Sequence, residues 1–293
     1  MLLTQIIISG LLLGGIYVLL SIGLTLIFGV LKIVNFAHGS FLMIAMYGSY
    51  LLFKQWHIDP YLGIIIVAPG LFLIGIAVYV LVIKRVMVAP DVAQIFATVG
   101  LSTALENTAL LVFHADYLSV RTTYADVVLT IGQIRISLAL LIGFLVAIII
   151  TFGLFGFLKY TYMGKAIRAS TQDELSSVLV GIHREKIYMV TFGIGLATLG
   201  IAGAILMPLY PVFPTVGSHF VLIAFVVVVL GGMGNMVGAM FGGLIIGLIE
   251  SLSGFFISPS MQQLVYFVIF ILILVLRPQG LMGFKLRRRV VAK

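Results

Sequence analysis

The 293-residue sequence contains no cysteine. Disulfides and thiolate metal sites are therefore excluded, although the compartment is not fixed by this. Charge is almost as scarce: Asp, Glu, Lys and Arg make up 9% of the residues, against about 25% in a typical soluble domain. The shortfall runs in the direction that lipid demands, since apolar side chains facing hydrocarbon need no hiding place. Several motifs of chemistry are also missing. No G-x-x-x-x-G-K-[ST] phosphate loop occurs; Gly164-Lys165 is followed by Ala166 and has no glycine five residues earlier. There is no H-E-x-x-H, no Ser-His-Asp pattern in loop context and no cluster of metal ligands. His57, His114 and His219 stand alone at the edges of apolar runs, where an interfacial role is the default. No internal repeat, low-complexity linker or second domain is visible, so residues 1–293 read as one domain without nucleotide, metal or cofactor site.

What is present is apolar. Hydrophobic residues make up 62% of the chain. Met1–Gln5 carry no positive charge, and the run Ile6–Leu31 far exceeds the roughly 7–15 residues of a signal-peptide core; it reads as a first spanning helix. Apolar segments follow one another at 5–31, 40–53, 61–83, 93–113, 136–158, 187–207, 217–230, 236–257 and 262–276. These predict an all-α, polytopic helical bundle. Segments 40–53 and 217–230 are short, and each adjoins a polar, glycine-containing break of the kind that must be buried in protein or line a wet cavity. If 40–53 crosses, there are nine spans; if it is re-entrant, eight. The net charge of +8 sits at the edges of the runs and in the tail, which suits a membrane surface rather than nucleic acid. Lys159, Lys165, Arg168, Arg184 and Lys186, and then Lys285, Arg287, Arg288, Arg289 and Lys293, put the loop 159–186 and the C-terminus in the cytoplasm.

Three places carry polar patterns worth a function. The loop 163–187 is too polar to span and too patterned to be slack. Thr171 and Glu174 fit a capping box and Gly181 fits a helix C-terminus, which brackets a short helix at about 172–180. Val178, Leu179 and Ile182 give it an apolar side, either for docking or merely for joining two spans. In segment 93–113, Thr98, Ser102 and Glu106 recur every four residues on one helical face, flanked by Thr103 and Asn107. A carboxylate there faces the bundle interior or water, so this stripe lines a path or grips another helix. Glu250 reads as a snorkelling or capped carboxylate near a span edge. The third place is a pair of breaks. Asn35, His38 and Gly39 make a chain reversal in which His38 is a pathway ligand or a packed interface residue; Gly231, Gly232, Gly234 and Asn235 break a helix and permit close approach.

The short helix, glycine and second helix resemble the coupling loop of ATP-binding-cassette (ABC) importer permeases. That family's Glu-Ala-Ala, three residues and Gly fall here on Leu175, Ser176, Ser177 and Gly181. The spacing matches, whereas Leu replaces Glu and two Ser replace two Ala; Asp173 and Glu174 stand nearby. Asn35-Phe36-Ala37-His38-Gly39, Ala224–Asn235 and Arg277-Pro278-Gln279-Gly280-Leu281 follow in order and are similar to the branched-chain amino acid branch of that family, in its shorter permease. The resemblance implies a translocation subunit of the inner membrane, with a coupling loop at about 163–186 and a basic tail at 278–293. It also implies a second homologous permease, two ATPase subunits that use ATP and Mg, and a periplasmic binding protein. The substrate so implied is a branched-chain amino acid or a related small solute. The rival reading, an ion-coupled secondary transporter, expects charged pairs at the midplane and inverted repeats.

The orientation is directly testable, because 10 of the 17 basic residues lie at 159–186 or from Lys285 onward. In intact cells, single cysteines placed at Ser176 and at Ala292 should react with an impermeant thiol reagent only after the membrane is opened. Labelling of either from outside overturns the assignment.

Overall fold

Backbone in hydrocarbon must satisfy its own hydrogen bonds, so apolar runs of this length fold as helices. The computed structural model describes residues 2–132, 134–277 and 279–282. Its helices are α1 (Leu2–Leu31), α2 (His38–Trp56), α3 (Pro60–Val86), α4 (Asp91–Phe113), α5 (Leu138–Tyr160), α6 (Tyr162–Gln172), α7 (Glu174–Leu179), α8 (Arg184–Leu206), α9 (Val216–Gly231), α10 (Met236–Phe256) and α11 (Gln262–Leu276). Between α4 and α5 a small antiparallel hairpin, β1 (Val128–Ile131) and β2 (Ile134–Ser137), pairs Val128 with Ser137 and Ile131 with Ile134. We call the end of the bundle that carries Lys84, Arg85, Lys159 and Lys186 the basic end.

Among the described residues, seven helices are long and apolar enough to cross a membrane, the last being α11 with its leading turn, Pro259–Leu276. The expectation of eight or nine crossings is therefore too high by this measure. The two short segments account for the difference. Helix α2 has 19 residues but carries His38, Gly39 and Ser40 at its start and Lys54 near its end. Helix α9 has 16 residues, about 24 Å at 1.5 Å per residue, which is less than the roughly 30 Å of hydrocarbon.

Both short helices begin inside the bundle. The ring of His38 bonds the carbonyl of Leu20 at 3.0 Å, and Leu20 lies about 16 Å along α1 from its end at Leu31. The chain thus leaves α1 at the basic end, turns back through 32–37 and starts α2 at mid-depth. At the other end, Leu118 and Val212 exchange backbone hydrogen bonds of 2.8 and 2.9 Å, tying the segment after α4 to the descent that leads into α9.

Packing reveals a symmetry that the sequence does not display. The two most extensive helix pairs are α1 with α10 and α3 with α8. Helices α1 and α8 run antiparallel: Gly23 meets Thr198 and Ile27 meets Gly195. Helix α2 rests on α8, with Ala45 at Gly203, while α9 rests on α1 through Leu24, Ala224 and Val228. The units α1–α2–α3 and α8–α9–α10 thus make matching contacts in opposite directions, an inverted arrangement that no repeat in the sequence announces. Inverted repeats consequently do not separate a secondary carrier from other permeases here.

The two units touch head to head. A Cβ built on Gly39 collides with the backbone of Gly217, and one built on Gly217 collides with Gly39. Backbone cannot yield as a flexible side-chain tip can, so a side chain at either place forces the helices apart. Gly39→Val should cost at least about 1–3 kcal/mol through overpacking, read as a lower melting temperature and reduced membrane abundance in detergent. In α5, a Cβ on Gly153 meets nothing within 4 Å, so Gly153→Ala should be neutral or slightly stabilising. Equal melting of the two variants contradicts the contact.

Candidate functional site

The head-to-head contact gathers hydroxyls around one carboxylate. Ser40 follows Gly39 at the start of α2, and Ser218 follows Gly217 at the start of α9. Both face Glu106 in the middle of α4. Ser218 Oγ donates to Glu106 Oε1 at 3.3 Å, and Ser102 Oγ donates to the same oxygen at 3.2 Å. Ser40 Oγ lies 2.7 Å from Ser102 Oγ and 3.3 Å from Glu106 Oε1. Thr98, one turn before Ser102, is buried and donates to the carbonyls of Ile95 (3.0 Å) and Val34 (3.3 Å). The stripe Thr98–Ser102–Glu106 thus does share one face, and it does grip another helix. Thr103 and Asn107, expected to flank it, bond carbonyls of their own helix and face outward. Sequence reasoning missed Ser40 and Ser218; the available signal was the Gly-Ser pair that opens both short segments.

The other expected path residues take different places. Asn35 and His38 are fully buried. Asn35 Oδ1 accepts the Ala37 amide at 3.2 Å, which shapes the reversal before α2, and His38 anchors that reversal to Leu20. Gly39 is the contact itself. Gly231, Gly232, Gly234 and Asn235 lie away from this junction, between α9 and α10. Asn235 caps α10 by accepting the Gly238 amide at 3.0 Å. The closing motif folds back onto the same break: the Leu281 amide donates to Leu230 O (2.7 Å), that of Met282 donates to Gly231 O (3.1 Å), and Asn235 Nδ2 donates to Met282 O (2.7 Å). Two motifs far apart in sequence are therefore one interlock, which satisfies the carbonyls left free where α9 ends. Of the tail, Pro278 and residues 283–293 lie outside the described residues.

The polar loop forms two helices rather than one. Thr161 caps α6 by accepting the Gly164 amide at 3.0 Å, and α6 buries Gly164, Ala166, Ile167 and Ser170 against the bundle. The capping box does not form: Thr171 donates to Ile167 O inside α6, and Asp173 is the residue that caps α7, accepting from the Ser176 amide (3.2 Å) and hydroxyl (2.6 Å). Helix α7 therefore spans Glu174–Leu179 rather than 172–180. The side chains of Glu174 and Leu175 lie outside the described residues. Gly181 ends the helix as expected, with φ +84°. Its amide donates to Val178 O at 3.0 Å and that of Ile182 donates to Ser177 O at 3.1 Å, the paired bonds of a Schellman turn. That turn draws Ile182 back against the core and leaves the apolar tip to Val178, Leu179 and Val180, which are 50%, 86% and 76% exposed. Ile182 is thus not part of the exposed tip, and Val180 takes its place. Ser177 is buried.

Two further polar groups are structural. Glu250 is buried and accepts from the Tyr17 hydroxyl at 2.8 Å, a capped carboxylate between α10 and α1. At the end opposite the basic one, Asp59 caps α3 by accepting the Tyr61 amide and also accepts the Tyr124 hydroxyl, both at 2.9 Å. Burial, and then that bond to a carboxylate, push the Tyr124 phenol well above its ordinary pKa. Lys84 pairs with Glu185 at 2.9 Å, exposed at the basic end.

Residues 6–274 match the family described as branched-chain amino acid transport system / permease component. The chain is 31% identical over 304 residues to the high-affinity branched-chain amino acid transport system permease protein LivH of Escherichia coli, covering 94% of each. It is 30% identical over 296 residues to the corresponding permease protein BraD of Pseudomonas aeruginosa, covering 95% of each. A probable LivH of Methanocaldococcus jannaschii is 27% identical over 285 residues, 92% of this chain and 89% of that one. No solved structure matches the chain. The fold is a polytopic helical membrane bundle, the match runs nearly end to end, and the family is one of transport permeases rather than enzymes: the chain belongs to the permease-component family of branched-chain amino acid transport systems.

Proposed function

We propose that the chain is the translocation subunit of an ATP-driven importer of branched-chain amino acids or closely related small solutes. In this reading the bundle lies in the inner membrane with the basic end in the cytoplasm, as the positive-inside bias of the sequence favours. A second, homologous permease completes the pathway, two ATPase subunits supply the energy, and a periplasmic binding protein delivers the substrate. The path passes the junction of α2, α4 and α9, along Thr98, Ser102 and Glu106. Residues Asn35, His38 and Gly39 hold the start of α2 in place. Gly231, Gly232, Gly234 and Asn235 act as the joint between α9 and α10 where the path reaches the cytoplasm.

The observation that carries the coupling half of this reading is the tip of α7. An apolar trio stands in solvent on an otherwise polar turn, held out by the Asp173 cap and the Gly181 turn. Such a tip has nothing to gain from water, and a groove on an ATPase subunit would bury it. The neighbouring Asp173, Glu174, Leu175, Ser176 and Ser177 complete the docking element. ATP-driven closure of the ATPases would move α7, and α6 would pass the motion to α1, α5 and α8, on which it packs.

The proposal predicts a specific phenotype. Leu179→Asp touches nothing that the fold depends on, so membrane abundance should be unchanged, while uptake falls and the ATPases lose stimulation by the loaded binding protein. Gly181→Val forces a β-branched side chain into a positive-φ site, at a cost of about 1–3 kcal/mol in the loop alone, and should show the same uncoupling. Insertion of the spans depends on their hydrophobicity, which neither change alters. Both variants transporting at the wild-type rate would sink the docking model.

A further inference from the structure

The junction holds a carboxylate without a counter-ion. Glu106 is partly open, and all three serines aim at the same oxygen, Oε1. Its other oxygen, Oε2, accepts no hydrogen bond, and no Lys, Arg or His is within ion-pair distance among the described residues. The three hydroxyls thus gather on one oxygen of the carboxylate and leave the other oxygen facing away from them. An intramembrane carboxylate of this kind normally finds a partner.

The chemistry narrows what that partner is. A divalent metal needs a cage of oxygens, for calcium six to eight, and among the described residues no group of three His, Asp or Glu side chains stands together. A primary ammonium needs three acceptors around one small charge. Glu106 Oε2 supplies the charged one. Serine oxygens keep unused lone pairs after donating their single proton, and Ser40, Ser102 and Ser218 all lie within 3.3 Å of Glu106 Oε1. The N-termini of α2 and α9, 19 and 16 residues long, meet beside it and give positive potential for an anionic group next to the ammonium. We propose that Glu106, with Ser40, Ser102 and Ser218, receives the α-ammonium of a zwitterionic amino acid as it passes the junction.

This rests on the reading of the junction as the path, and the test keeps the two apart. In cells carrying the variants together with the remaining transport proteins, uptake of radiolabelled L-leucine is measured beside the amount of assembled complex. Glu106→Gln keeps the size and can still accept from the serines, but it has no charge. Uptake should fall by roughly tenfold or more with assembly unchanged, and Glu106→Asp should recover part of it. Uptake at the wild-type rate in Glu106→Gln overturns the proposal. Loss of assembled complex in Glu106→Gln, matched by Ser102→Ala, also overturns it, because the cluster is then only glue between helices. A cysteine at Ser102, in a chain that has no other, reports on the path alone. If a small thiol reagent blocks that variant while Glu106→Gln transports normally, the path stands and the ammonium pairing falls. If the reagent has no effect and Glu106→Gln is normal, both fall.

Discussion

The junction of α2, α4 and α9 depends on a contact in which neither partner has a side chain. Gly39 and Gly217 bring the starts of α2 and α9 to backbone distance, and any Cβ between them must push two helices apart. Because the helices begin there rather than at a membrane surface, their polar first turns are placed inside the protein. The residue after each glycine is a serine, so the same contact brings two hydroxyls to Glu106. The close packing of α1 on α10 and of α8 on α3 holds the two inverted units in the position that this contact requires.

Polarity in the molecule is concentrated by this arrangement. Some of the polar side chains buried in the spans bond a backbone carbonyl of their own helix, as Thr25 and Thr198 do, whereas the hydroxyls of Ser21, Ser49, Thr151 and Thr191 have no protein partner among the described residues. Long-range polar contacts include those at the junction, at the Tyr17–Glu250 pair, at the Asp59 rim and at the interlock of Asn235 with Met282. Of these, the junction joins three helices around one carboxylate, and two of those helices start there.

Much of this was legible in the sequence. Hydropathy gave the helices, and the spacing of Thr98, Ser102 and Glu106 gave a shared face, because both follow from local periodicity. Gly181 was readable as a helix terminator, since its positive φ is a local requirement. The failures were of a different kind. Thr171 and Glu174 match a capping box, but α6 runs on to Gln172, so Thr171 is helical and Asp173 takes the cap; two helices competed for one stretch. Ile182 looked like docking surface because periodicity cannot see the Schellman turn that reverses it. The inverted arrangement left no repeat in the sequence because lipid-facing positions accept any large apolar residue. Ser40 and Ser218 were overlooked because a serine at a helix start is ordinary until the fold places two such starts together.

The central claim is that the path runs through the junction and is opened alternately to either side. A cysteine at Ser218 in this cysteine-free chain measures it most directly, by its reactivity toward an impermeant reagent supplied from one side of sealed vesicles at a time. The assembled transporter is compared without nucleotide and with ATP plus vanadate. The account predicts reaction from one side in the first state and from the other side in the second. Reaction from neither side in both states, with the complex intact and transporting, would contradict it.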